Sequence, residues 1–327
     1  MNPLLGLGNV YPWQEELWQQ LQQRLPHAIL LSGQAHSGLE DLAGALAAHL
    51  VCSKTDTGSS HACGQCRNCQ LLVAGSHPDV SALKLIEESK LIKVDQIRDF
   101  VQQMSLTPGI AKCKVAVIWP AEKMNLAAAN ALLKTLEEPP GHTHIILASC
   151  EPSRLLATIR SRCQQYTVAA ADSELVDTWL GAQDYASEPR QSAILAARGL
   201  PLLALTYLRE ELLPIRRKVG VALLKSARGQ ADVLQVATEW VKLSTQLGQP
   251  LVWLWLSQWM QDIIATRLTR LDGNDPIAVA LGNARADYPV EKTIHLQQLA
   301  VTGYRSEDTS LRQDLLFEQW LLQWVQE

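Results

Sequence analysis

Between residues 114 and 163 the chain alternates short apolar runs with an amphipathic one. Val115-Ala116-Val117-Ile118-Trp119 and His144-Ile145-Ile146-Leu147-Ala148-Ser149 are largely apolar from end to end, as strands buried on both faces of a parallel sheet are. Between them an Ala-Leu-rich run follows Asn125 and stops at Pro139-Pro140. Asparagine caps helix starts and proline cannot continue a helix, so this run is expected to be helical. Glu137 and Glu138 close it at the end where the macrodipole disfavours anions, at a cost of up to about 1 kcal/mol each. Either they are solvated, or a cation from outside the helix compensates them.

The same reading applies upstream. Leu17, Trp18, Leu21 and Leu25 recur at helical spacing over residues 14–25, with Tyr11-Pro12-Trp13 leading in. A strand over 27–32 is followed by Gly33-Gln34-Ala35-His36-Ser37-Gly38-Leu39-Glu40 and a helix with Leu39, Leu42, Leu46 and Leu50 on one face. Residues 79–86 alternate weakly as a further strand. Asp95 is expected to cap a helix with Ile97, Phe100, Val101 and Met104 on one face, ended by Pro108. Repeated strand and helix give an α/β class with a mostly parallel sheet.

Beyond Cys163 the pattern changes. Residues 168–172 read as a linker and cap, after which no convincing strand follows. Helical runs at 173–180, 188–197 and 202–208 suit a small lid, and helical signals continue to the end. The expected division is 1–166, 167–207 and 208–327. In the last part Trp255 with Trp259, and Trp320 with Trp324, lie four residues apart beside leucines. That spacing suits core or subunit contacts better than a stacking surface for bases. Arg209, Arg216, Arg217, Lys218, Lys225 and Arg228 read as a solvated basic helix face, with a DNA or partner contact as the other reading.

Composition narrows the function. The chain has 327 residues, 47% hydrophobic and 19% charged, with a net charge of −4, an ordinary globular balance that argues against a free-standing nucleic-acid binder. The N-terminus lacks a basic, apolar leader, and the most apolar stretch, 251–271, is too polar for a lipid span, so a cytoplasmic location is expected. Seven cysteines, an odd number, point to thiols or metal ligands. Cys63, Cys66 and Cys69 have C-x-x-C-x-x-C spacing with Cys52 nearby, a pattern that lets short turns wrap one tetrahedral ion. Structural zinc on these four thiolates is the expectation. An iron–sulfur cluster is the rival, although the Cys-Pro that closes the bacterial ferredoxin run is lacking. His61 and His77 are alternative ligands; Cys113, Cys150 and Cys163 read as small hydrophobes.

The glycine loop has the context of a phosphate loop but not its chemistry. The position of the phosphate-binding lysine holds Leu39, and that of the metal-binding hydroxyl holds Glu40. Nucleotide binding should be weak or absent, while Gly33 and Gly38 still make a turn whose N–H groups could take an anion.

Taken in order, the loop 33–40, the cysteine group, Asn130 to Pro140 and Ser161-Arg162-Cys163 resemble the clamp-loader branch of the AAA+ ATPases, with the cysteines similar to its bacterial zinc module at about 52–69. The resemblance implies a RecA-like parallel sheet with helices on both faces, then a helical lid and an all-helical collar. Motor members carry Asp-Glu where this chain has Trp119 and Pro120, and a sensing arginine where it has Leu202. The resemblance therefore implies a non-catalytic, stator-like subunit that binds no ATP. Arg162 would be an arginine finger supplied in trans, with Ser161 and Cys163 in its motif. Implied partners are motor subunits (tau or gamma) and a delta subunit in a ring that loads a sliding clamp onto primed DNA, polymerase chemistry belonging to other subunits. The competing readings are an active motor subunit and a zinc-containing DNA-binding module.

Overall fold

The structure is a computed structural model that describes residues 6–23, 25–55, 60–85, 91–248, 250–269, 275–306 and 312–326. The expected loop 53–62, the strand 79–86 and the apolar stretch 251–271 each run partly outside the described residues. The chain divides into two compact units, the first made of residues 1–184 and 199–203, the second of 185–198 and 204–327.

The first unit is built on a parallel five-stranded sheet in the order β2-β3-β4-β1-β5. The strands are β1 (Ala28–Ser32), β2 (Val80–Leu83), β3 (Lys114–Ile118), β4 (Thr143–Ser149) and β5 (Gln164–Thr167). Every residue of β1 and β3 is buried. Alternation explains why: Ile29, Leu31, Val115, Val117, Ile146 and Ala148 face one apolar cluster, while Leu30, Ala116, Ile118, Ile145 and Leu147 face the other. The first cluster is covered by α1 (Glu15–Gln23) and α2 (Leu39–Val51), with α3 (Arg67–Val73) beside α2. The second is covered by α4 (Val94–Met104) and α5 (Leu126–Glu137). Helices on both faces of a parallel sheet are the architecture that the AAA+ resemblance implies.

Two local readings need correction. The strand β5 was not anticipated, because Gln164-Gln165-Tyr166-Thr167 lies at the sheet edge and is mostly exposed, so no apolar run marks it. The cap of α4 is Lys93, not Asp95: the Gln96 side chain accepts from the Lys93 backbone N–H at 2.8 Å, and Asp95 falls in the first turn. Asn125 does cap α5, its side chain accepting from Ala128 N at 2.8 Å. Asp172 caps α7 (Ser173–Gly181) through Glu174 N at 2.7 Å.

The second unit is helical in its described residues. It holds α8 (Ser187–Ala196), most of α9 (Pro201–Arg209), α10 (Leu212–Ala227), α11 (Val233–Leu247), α12 (Leu251–Thr269), α13 (Pro276–Ala284), α14 (Val290–Ser306) and α15 (Gln313–Val325). Trp240, Trp253, Trp255, Trp259, Trp320 and Trp324 are all buried. Their indole N–H groups are engaged inside: Trp255 donates to Tyr207 Oη, Trp320 to the Leu296 carbonyl and Trp324 to the Leu223 carbonyl, at 2.8–3.1 Å. These rings are core, not a base-stacking surface. A Cβ at Gly303 would come within 2.4 Å of the Trp253 ring, so only glycine lets α14 lie against α12 there. The solvated basic face also needs amendment. Arg216 is buried, ion-paired with Asp275 and stacked over Trp259 at 5.0 Å, whereas Arg209, Arg217, Lys218, Lys225 and Arg228 are exposed. Among the described residues no helix is long and apolar enough to cross a membrane.

Candidate functional site

The glycine loop follows β1 at the C-terminal edge of the sheet and turns into α2. Gly38, the N-cap of α2, has φ +79°, and a Cβ there would meet the Tyr11 ring at 2.4 Å. Glycine is required on both counts. Trp13 stacks on Tyr11 with centroids 4.9 Å apart, and Trp179 of α7 stands edge-on to both. Trp13 Nε1 and Gln14 Nε2 both donate to the Ser37 carbonyl, at 2.9 and 2.8 Å, and Gln14 Nε2 also reaches the Gly38 carbonyl at 3.0 Å. The Gln14 amide oxygen accepts from Tyr11 N at 3.0 Å, and the Tyr11 hydroxyl donates to Asp41 at 3.1 Å. Burial pushes the Asp41 carboxyl up, with the Tyr11 hydroxyl opposing. Burial also lowers the imidazole of His36. The carbonyl of His36 accepts from Leu202 N at 3.1 Å.

Leu39, Glu40, Trp119 and Pro120 are each engaged within the chain. Leu39 is 3% exposed and belongs to the core on the α2 side of the sheet. Glu40 forms an ion pair with Lys84, just beyond β2. Trp119 follows β3, donates its N–H to the Leu83 carbonyl at 3.0 Å and packs half-buried on the same core. Pro120 opens the next turn. Between Gly33 and Gly38 the chain makes a bonded turn, Ser37 N donating to the Gln34 carbonyl at 3.3 Å.

The four cysteines come together from separate places. Cys52 ends α2, Cys63 and Cys66 lie in the following loop, and Cys69 is in α3. All four Sγ atoms lie within 4.8 Å of one another, with Cys63–Cys69 and Cys52–Cys66 separations of 4.0 Å. A tetrahedral ion with metal–sulfur bonds of about 2.3 Å needs edges of about 3.8 Å. Backbone N–H groups of Cys63 and Lys54 point at Cys52 Sγ, and that of Cys66 at Cys63 Sγ, at 3.3–3.5 Å. Such donors favour thiolates. For Cys66, burial opposes ionisation but is outweighed by the N–H of Cys69 and by Ser53, which bring the thiol down to about 6. Burial holds Cys69 up. The alternative ligands are elsewhere: His61 stacks on Trp18, and His77 Nδ1 accepts from Asp79 N at 3.1 Å. Burial raises Cys150 and Cys163 to about 12, as suits inert thiols.

Arg162 lies at the opposite edge. It precedes β5, whose first residue pairs with Ile29 near the start of β1. Its Nε donates to Glu137 Oε1 at 2.5 Å, its Nη2 forms an ion pair with the same oxygen, and its Nη1 donates to the Thr158 carbonyl at 3.0 Å. Glu137 is the last residue of α5, and Thr158 lies in α6 (Ala157–Arg160). The guanidinium therefore meets the C-terminal end of α5, where the macrodipole favours a cation, and a carbonyl of the single-turn α6. The cation compensating Glu137 is supplied by this chain, and Glu138 is exposed. Ser161 is exposed with its Oγ on the Thr158 carbonyl at 3.2 Å, and Cys163 is buried below.

Several of these residues lay beyond sequence reasoning. Tyr11, Trp13 and Gln14 act across more than 20 positions. A Tyr-Pro-Trp lead, too apolar for a solvated helix start, was their signal. A carboxylate at position 40 likewise called for a cation, which Lys84 supplies. Asp79 and Lys114, both nearly buried, lie 3.6 Å apart at the same edge as Arg162, and Asp79 also accepts from Gly109, Ile110 and Ala111 N–H at 2.7–2.8 Å.

Residues 13–172 match the family described as "DNA polymerase III, delta subunit". The DNA polymerase III subunit delta' of Pseudomonas aeruginosa is 34% identical over 98% of each chain. That of Escherichia coli is 38% identical over 57% of this chain and 56% of its own. The crystal structure of a DNA polymerase III gamma subunit-related protein from Thermotoga maritima covers 96% of this chain and 98% of its own, with a TM-score of 0.50 at 16% identity, a likeness of fold. At 34% identity over 98% of each chain to the Pseudomonas aeruginosa protein, the chain belongs to the delta-prime family of DNA polymerase III subunits.

Proposed function

We propose that this chain is a non-catalytic, stator-like subunit of the DNA polymerase III clamp loader and that Arg162 acts in trans on a nucleotide bound by a neighbouring ATPase subunit. The observation that carries this reading is the guanidinium at the edge of the sheet opposite the closed glycine loop. Arginine binds phosphoryl oxygens through a planar fork of donors, and a cation there stabilises charge developing on the transferred phosphoryl. Among the described residues the cation at the chain's own loop is Lys84, which is taken up by Glu40, and Leu39, Glu40, Trp119 and Pro120 replace lysine, hydroxyl and carboxylates. This chain alone then neither binds nor hydrolyses ATP.

The partners on this reading are tau or gamma motor subunits and delta, joined through the helical region from about residue 208, with residues 167–207 as a lid. The ring opens a sliding clamp and places it on primed DNA, in the cytoplasm. Cys52, Cys63, Cys66 and Cys69 hold structural zinc, which ties the end of α2 to α3 and has no open position for catalysis. Metal analysis of purified chain is expected to give stoichiometric zinc, and iron or no metal contradicts that assignment.

The functional test is ATP turnover by a reconstituted ring with clamp and primed DNA. Including the chain should stimulate turnover, and Arg162→Ala should remove much of that stimulation. Finger arginines in GTPases contribute about 10³–10⁵ in rate, an upper guide here. Unchanged turnover with Arg162→Ala contradicts the trans role.

A further inference from the structure

The Arg162 guanidinium is fixed on two sides by its own chain. Of its five N–H donors, one on Nε and one on Nη2 are directed at Glu137, and one on Nη1 at the Thr158 carbonyl. One donor on each terminal nitrogen is left over. Among the described residues neither of these two has an acceptor in this chain. Donors on the two terminal nitrogens can grip two oxygens of a phosphoryl group.

We infer that Glu137 is a positioning residue for Arg162, holding the guanidinium so that its two remaining donors face the phosphoryl of the nucleotide in a neighbouring subunit. This rests on the trans reading of Arg162 above. Three features support the role. Glu137 is the C-terminal residue of α5, whose cap Asn125 and buried Leu132 and Leu136 anchor it to the sheet, so the carboxylate is presented from a rigid element. Both contacts from Glu137 go to one edge of the guanidinium, which fixes its plane as well as its position. The pair is part-exposed, at 32% for Arg162 and 49% for Glu137, within reach of a partner. A carboxylate at a helix C-terminus is unfavourable for the helix alone, and the contact it makes with Arg162 accounts for its place.

The test uses the reconstituted complex with clamp and primed DNA, comparing Glu137→Ala, Glu137→Gln, Arg162→Ala and the double variant. Loss of an orienting contact lowers a rate without removing the group, so Glu137→Ala is expected to reduce kcat about tenfold with KM for ATP changed less than about twofold. Glu137→Gln should recover most of the rate, since its amide oxygen still accepts from Nε. In the Arg162→Ala background, Glu137→Ala should cost nothing further. Full or raised turnover in Glu137→Ala, alongside a loss in Arg162→Ala, overturns the positioning role and leaves the trans role standing. So does an equal further loss in the double variant, or a failure of Glu137→Gln to recover when both variants fold and assemble. No effect of Arg162→Ala itself overturns both.

Discussion

At the C-terminal edge of the sheet, Trp13 and Gln14 aim their donors at the carbonyl of Ser37, Tyr11 covers Gly38, and Lys84 closes on Glu40. At the N-terminal edge, Arg162 is held by Glu137 at Nε and Nη2 and by the Thr158 carbonyl at Nη1, and one donor on each terminal nitrogen is left over. The first edge directs its polar groups into the protein; the second directs some outward. The difference teaches where each kind of mutation should register. Groups turned inward should matter for stability, and the outward-facing group should matter for turnover.

The largest expected loss belongs to a buried charge. Replacing Asp79 by Ala strips Lys114 of its partner and orphans three backbone N–H groups, which should cost about 3–5 kcal/mol in denaturant unfolding. The same residue sets an acid limb. Burial would raise the Asp79 carboxyl, but the N–H groups of Ala111, Gly109 and Ile110, with Lys114, outweigh it and hold it below the usual carboxylate range. Its contribution is therefore complete above the unfolded value of about 3.9 and lost as pH falls through the lower folded value. Stability measured below about pH 4 should fall more steeply in the wild type than in the variant.

Next comes Trp13→Ala, which empties the stack on Tyr11 and should cost about 3 kcal/mol by the same measurement. A loss below about 1 kcal/mol would mean that the loop is not closed from within. Gln14→Leu keeps the volume near constant but leaves the Gly38 carbonyl without its side-chain donor, for an expected loss of about 1–3 kcal/mol. The smallest stability effect should come from Arg162→Ala, below about 1 kcal/mol because the pair is part-exposed. If Arg162→Ala proves as destabilising as Trp13→Ala, the contrast between the two edges breaks.

The strands β1, β3 and β4 were legible because both of their faces are buried and leave unbroken apolar runs. The polar edge strand β5 leaves none, and its place is set by pairing with β1 alone. The four cysteines could be read because ligand spacing is local. The closing of the loop could not, since Trp13 meets Ser37 from 24 residues away. Glu137 illustrates both limits. Its awkward place at the end of α5 was visible and left open whether it is solvated or meets a cation; the cation lies 25 residues on, at Arg162, and only the fold brings the two together.

The contrast between the edges meets its most direct test in an equilibrium titration of the isolated chain with fluorescent ATP and Mg²⁺. The expected result is no saturable binding, because Leu39 stands in place of the phosphate lysine, Trp119 and Pro120 in place of the metal and water carboxylates, Glu40 is tied to Lys84, and the loop is packed by Tyr11, Trp13 and Gln14. Saturable, Mg²⁺-dependent binding would contradict it and return the chain to the motor subunits.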